Sequence, residues 1–114
     1  MKNKYHAQKC NINGTGFDSC KEARRYETLL LLQKAGAISD LKTQIKYILI
    51  PVQRDENGKL VERELSYVAD FVYTENGKEV VEDVKGYKEG AAYRIFAIKR
   101  KLMLKEYGIR VREV

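Results

Sequence analysis

Asp70, Asp83 and Lys85 supply two carboxylates and an ammonium on two strand-like segments, separated by the hairpin signal Asn76-Gly77. If Asn76-Gly77 is the loop, Glu75 pairs with Lys78, and equal steps outward make Asp70 and Asp83 direct cross-strand partners. Opposed Cβ atoms lie about 4.5–5.5 Å apart, and two like charges there repel unless something positive stands between them. A divalent cation resolves the conflict. Magnesium takes oxygen ligands in octahedral geometry, keeps several waters and is usually held by one or two carboxylates plus substrate phosphate. Lys85 lies one alternation beyond Asp83 on the same face. There an ammonium can position an attacking water, favour its hydroxide form or neutralise charge building on a phosphate.

Strand alternation places Glu79, Val81, Asp83 and Lys85 on one face and turns Glu82 away with Val80 and Val84. On the preceding strand it puts Ser66, Val68, Asp70 and Val72 opposite Tyr67, Ala69, Phe71 and Tyr73, so Asp70 sits among apolar neighbours. A lone Asp-x-Lys is more often surface charge. Register, apolar surroundings and the strand–turn–strand context are what raise this one to a candidate site.

The elements that must position these residues can be read in order. A helix starts at Ser19, where Ser19-Cys20-Lys21-Glu22 has the form of a capping box, and stops at Gly36. Strands are expected over 45–51, 63–73 and 78–84, with turn chemistry at Asp55-Glu56-Asn57-Gly58 between the first two. A second helix covers about 90–107, with Ile95, Phe96, Leu102 and Met103 as its apolar side and Gly108 as its stop, and a last strand covers 109–114. A strand, crossover helix and strand make a right-handed unit, so the last strand lies parallel to an earlier one. The fold class is α/β, in the order αβββαβ, a mixed sheet flanked by helices. Residues 1–17 read as a basic N-terminal arm, and 18–114 as one domain.

Glu22 has two readings. As the third helical residue after Ser19 it can cap the helix, which is a sufficient structural reason for it. It also lies above Tyr26 and Leu29, on a side where a carboxylate can reach a metal or orient its water. The pattern alone favours the cap.

Lys and Arg number 22 against 16 Asp and Glu, a net charge of +6. The excess gathers late in the chain: Arg94, Lys101 and Lys105 fall near one helical stripe, flanked by Lys99 and Arg100 and preceded by Lys88. Such a stripe suits backbone contacts to nucleic acid rather than base reading, although a charge run alone is more often a solvated face. Tyr87 and Tyr93 can stack on a base but more often pack on a core. His6, Cys10 and Cys20 lack a fourth ligand and a recognisable spacing for zinc, so the thiols are expected to be reduced and unpaired. With no membrane-length apolar run and no signal-peptide pattern, cytoplasmic residence is the default expectation.

The set Asp70, then Asp83-Val84-Lys85, resembles the PD-(D/E)XK nuclease superfamily. More closely, Lys4-Tyr5-His6-Ala7, Phe17-Asp18-Ser19-Cys20-Lys21-Glu22-Ala23, Tyr67-Val68-Ala69-Asp70-Phe71 and Val81-Glu82-Asp83-Val84-Lys85-Gly86 look like a phage-encoded branch of it with largely uncharacterised function. The resemblance implies a restriction-endonuclease-like core in which Asp70 and Asp83 hold magnesium or manganese, Lys85 is the catalytic lysine, and Glu22 joins the site as well as the cap. It also suggests Gln44, just ahead of the first strand, as a site-adjacent residue. Ala69 stands where the superfamily name has a proline.

These readings lead to an expected metal-dependent DNA endonuclease of phage or prophage origin, working in a bacterial host cell. By analogy with compact Holliday-junction resolvases it would act as a homodimer on branched DNA. The alternatives are a catalytically inactive nucleic-acid-binding module for phage replication or packaging, and a structural protein whose basic helix meets an acidic partner.

Overall fold

A computed structural model describes residues 10–12, 15–17, 19–86 and 88–114. Helix α1 (Cys20–Lys34) starts where extended Ser19 accepts a hydrogen bond on its hydroxyl from the Glu22 backbone N–H at 3.1 Å. Helix α2 (Gly90–Tyr107) stops at Gly108, whose left-handed φ of 68° lets its N–H reach the Leu104 carbonyl. Between and after the helices run β3 (Ser39–Ile50), β6 (Leu65–Glu75), β7 (Lys78–Asp83) and β8 (Arg112–Glu113), preceded by the short β1 (Cys10–Ile12) and β2 (Thr15–Phe17). A further short ribbon, β4 (Gln53–Arg54) and β5 (Leu60–Glu62), carries the turn at 55–58.

The main sheet has the order β3-β6-β7-β8. Its first two pairings are antiparallel and the last is parallel. This is the expected mixed α/β arrangement in αβββαβ order. Asn76 and Gly77 both take left-handed φ, 52° and 76°, the two-residue turn that fits a twisted hairpin. The resulting pairs run from Glu75–Lys78 to Phe71–Glu82, the expected register.

Each helix covers one face of the sheet. Ala23 and Leu29 of α1 pack with Phe17, Ile38, Phe71 and Tyr73. On the other face Phe96 and Met103 of α2 pack with Leu49, Tyr67, Ala69, Val72, Val81 and Val111. The division of β7 follows its alternation, since Val81 joins the α2 side while Val80 and Val84 lie against the α1 side.

Several expectations need correction. Strand β3 begins well before residue 45: exposed Asp40, Lys42 and Gln44 alternate with half-buried Leu41, Thr43 and Ile45, a period of two that an expectation based on the apolar run 45–51 left out. Strand β6 does not keep one alternation. Tyr67 and Ala69 share the α2 side with Val72, whereas Phe71 and Tyr73 lie on the α1 side, so the faces exchange around Asp70. Across from this point Gln44 has a left-handed φ of 55°, so both strands distort together.

The segment read as an arm ends in the β1–β2 hairpin, and Phe17 is core, with its ring 4.9 Å from Tyr26. The last strand is only Arg112–Glu113 by its pairing. Ile95, expected on the core side of its helix, is 55% exposed. Cys20 is disulfide-bonded rather than free. His6 and the N-terminal lysines, with Tyr87, lie outside the described residues. Among those described, no helix is long and apolar enough to cross a membrane.

Candidate functional site

Strands β6 and β7 part just beyond the Phe71–Glu82 pair. Past that point the Asp70 carboxylate accepts a hydrogen bond from the Val84 backbone N–H at 2.8 Å, so a side chain takes over from the ladder. The other edge of the same segment is held by Val114, whose N–H donates to the Asp83 carbonyl at 3.0 Å and whose carbonyl accepts from Lys85 N–H at 2.9 Å. The Lys21 ammonium donates to the Lys85 carbonyl at 2.5 Å. Residues 83–85 are thus fixed on both sides where the sheet opens.

The side chains converge in that opening. Lys85 Nζ lies 2.5 Å from Asp83 Oδ2 and 3.7 Å from the centre of the Phe96 ring, which gives the ammonium both a carboxylate and an aromatic face. Glu22, Asp70, Asp83 and Lys85 line one cleft of about 550 Å³. Burial, then the charge of Asp83, pushes the Asp70 carboxyl up to about 8, although the Val84 N–H opposes the shift and a hydrogen bond to Asp83 and the charge of Glu22 add to it. Asp70 thus holds its proton well above the usual carboxylate range, beside an Asp83 paired with Lys85. The Tyr67 hydroxyl is buried without a hydrogen-bond partner of normal geometry, and burial, then Asp83 and Asp70, raises its ionisation far above the usual tyrosine range.

For Glu22 one half of the capping box is present, its backbone N–H bonded to Ser19, and the buried carboxylate faces the cleft. Of the six basic residues read as a nucleic-acid stripe, Lys99 alone lines the cleft. Arg100 turns to Glu113 at 3.2 Å, and Lys88 lies 3.9 Å from the same carboxylate. Arg94, Lys101 and Lys105 are exposed, the last 3.2 Å from Glu106. Tyr93 donates to Glu113 at 2.7 Å and packs on the core beside Phe96. Gln44 lies within β3, is exposed, and is not part of the cleft lining.

Sequence reading missed three contributors. Tyr67 reaches the carboxylates because of the face exchange around Asp70, which strict alternation conceals. Lys21 follows the helix cap and carries no motif of its own. The third is a brace: fully buried Glu82 accepts from Arg25 Nε at 2.9 Å and from its terminal nitrogen at 2.6 Å, and also from the Tyr73 hydroxyl. The signal for it was present, since Glu82 pointing away from Asp83 toward α1 requires a cationic partner there.

No group of three or more His, Cys, Asp or Glu side chains that could hold a metal ion occurs among the described residues. The donor chemistry nonetheless suits a hard cation, because Glu22, Asp70 and Asp83 bring carboxylate oxygens to one cavity of about 550 Å³. Residues 2–112 match a family model described as protein of unknown function (DUF1064). No curated protein and no solved structure matches the chain.

Proposed function

Because the chain belongs to the DUF1064 family of unknown function, its activity has to be read from its own residues, and we propose that it is a metal-dependent endonuclease hydrolysing DNA phosphodiester bonds. The observation that carries this reading is the convergence of Asp70 and Asp83 with Lys85 in one open cleft. The resemblance to PD-(D/E)XK nucleases supports it on the same residues.

Asp70 and Asp83 would hold a magnesium or manganese ion through carboxylate oxygens, with Glu22 near enough to orient water. The ion, when bound, supplies Lewis acidity at the phosphate and lowers the pKa of water. Asp83 keeps the Lys85 ammonium beside the cation site. From there the ammonium favours the hydroxide form of the attacking water. It also offsets the negative charge that builds as the new oxygen–phosphorus bond forms and the bond to the leaving sugar oxygen breaks. Phe96 and the Lys85 backbone bonds keep that ammonium from swinging into solvent. A resolvase-like action on branched DNA would require two such sites, and therefore a homodimer.

The test is cleavage of supercoiled plasmid, linear duplex and a four-way junction, in magnesium or chelator. Metal-dependent cleavage that disappears in Asp83→Ala supports the reading. Cleavage that survives Asp83→Ala overturns it, and DNA binding without cleavage of any substrate makes the chain a binding module instead.

A further inference from the structure

The cleft that holds the two aspartates is not polar throughout. Val68 of β6 is 46% exposed and Ile95 of α2 is 55% exposed, and both belong to its lining. The core on this side of the sheet is filled by other residues, Phe96 and Met103 among them. Two aliphatic side chains bordering one cavity therefore leave apolar surface that a ligand can cover, which a scattered exposed residue does not.

Lys99 stands one helical turn beyond Ile95 and lines the same cleft. Carboxylates suited to a cation, ammonium groups and aliphatic surface thus lie together, and a nucleotide carries the complementary set of phosphate and apolar base face. Base faces are inaccessible in a duplex, where only base edges show in the grooves. A base can cover Val68 or Ile95 only after leaving its stack, as happens when apolar side chains wedge between base steps. The cavity of about 550 Å³ falls within the rough 300–1,000 Å³ span of small-ligand clefts. That is room for a nucleotide, not for stacked pairs.

We infer that the cleft takes a single strand of DNA, with one unstacked base against Val68 and Ile95 and its phosphate beside Asp70 and Asp83. The position of the phosphate rests on the nuclease reading; the apolar base contact does not. Lys99 contacts the backbone of the same strand. A duplex has the denser charge, so simple electrostatic attraction favours it over a single strand. A preference for the single strand is therefore specific to this inference.

The experiment compares a labelled short oligodeoxynucleotide, single-stranded and as its duplex, by fluorescence anisotropy in chelator, so that no cleavage is needed. The single strand is expected to bind at least about fivefold more tightly, the scale of covering about 40 Å² of aliphatic surface. Ile95→Ser and Val68→Ser, both exposed positions, should lose that preference and leave duplex affinity unchanged. Equal or tighter duplex binding by the unaltered protein overturns the inference, whether or not the variants fold; so does a preference that survives both substitutions. If Ile95→Ser abolishes single-strand preference while no substrate is ever cleaved, the nuclease reading fails and the base contact stands. Metal-dependent cleavage with no single-strand preference does the opposite, removing the base contact and leaving the nuclease reading in place.

Discussion

The Asp70 carboxylate accepts the Val84 backbone N–H at 2.8 Å, one step past the last β6–β7 pair. One side chain thus supports the place where the sheet opens and presents an oxygen to the cleft. Asp70→Asn keeps an acceptor for Val84 but can never take up the negative charge that a cation would draw out. It is expected to fold normally and lose cleavage by about a hundredfold or more. Thermal melting and plasmid nicking, run on the same preparation, check both halves.

A pH dependence follows from the same residue. Folded Asp70 titrates near about 8, against about 3.9 in an unfolded chain. The folded state therefore holds a proton that the unfolded state has released, so stability is greatest below about pH 4 on this account and falls as pH rises toward about 8. In chelator, the thermal midpoint contributed by this group should drop across that window, and Asp70→Asn should flatten the drop. Magnesium should raise the midpoint more at the alkaline end, where the carboxyl is free of its proton. An identical slope in the variant would rule out the raised titration of Asp70.

Lys85→Met removes the ammonium while keeping a side chain that can lie on Phe96. Single-turnover cleavage should fall about 10²–10³-fold, with DNA affinity changed far less, since the group acts on charge formed in the reaction. A variant that loses affinity and rate in equal measure would make Lys85 a simple phosphate anchor.

Ser19 and Glu22 separate capping from chemistry. Ser19→Ala removes the acceptor of the Glu22 N–H and should cost about 1 kcal/mol of stability. Glu22→Gln keeps that backbone bond and should reduce cleavage instead. Chemical denaturation beside an activity assay tests the pair, and a large stability loss in Glu22→Gln would return that residue to the cap.

Arg25→Ala strands the fully buried Glu82 carboxylate and should destabilise the fold by about 3–5 kcal/mol, measured by urea unfolding. Glu82→Gln, which removes the charge and keeps an acceptor, should lose less.

Much of the candidate site was legible in the sequence. The Asn76-Gly77 turn set the register, and alternation on β7 separated Asp83 from Glu82, because both depend on local chemistry and a fixed period of two. The exchange of faces around Asp70 was not legible, since it depends on β3 distorting in step at Gln44. Ile95 passed for core because it lies two helical turns from Leu102, a spacing that suits one helix face, yet it borders the cleft where β6 and β7 part. Arg100 counted as free charge until β8 brought Glu113 to it. Each miss is a contact between segments distant in the chain, which no local period encodes.

The Asn76-Gly77 turn sits about 20 Å from Asp70 at the usual strand rise, and lies outside the cleft lining. It nevertheless acts as the indexing device of the molecule. Lengthening or shortening it so as to slip β7 by one residue would rotate Glu82 into the place of Asp83 and send Arg25 in search of another partner. Such a change would scramble the site without altering any residue in it. A screen of insertions at 76–77 would thus find inactive proteins whose cleft residues are all intact.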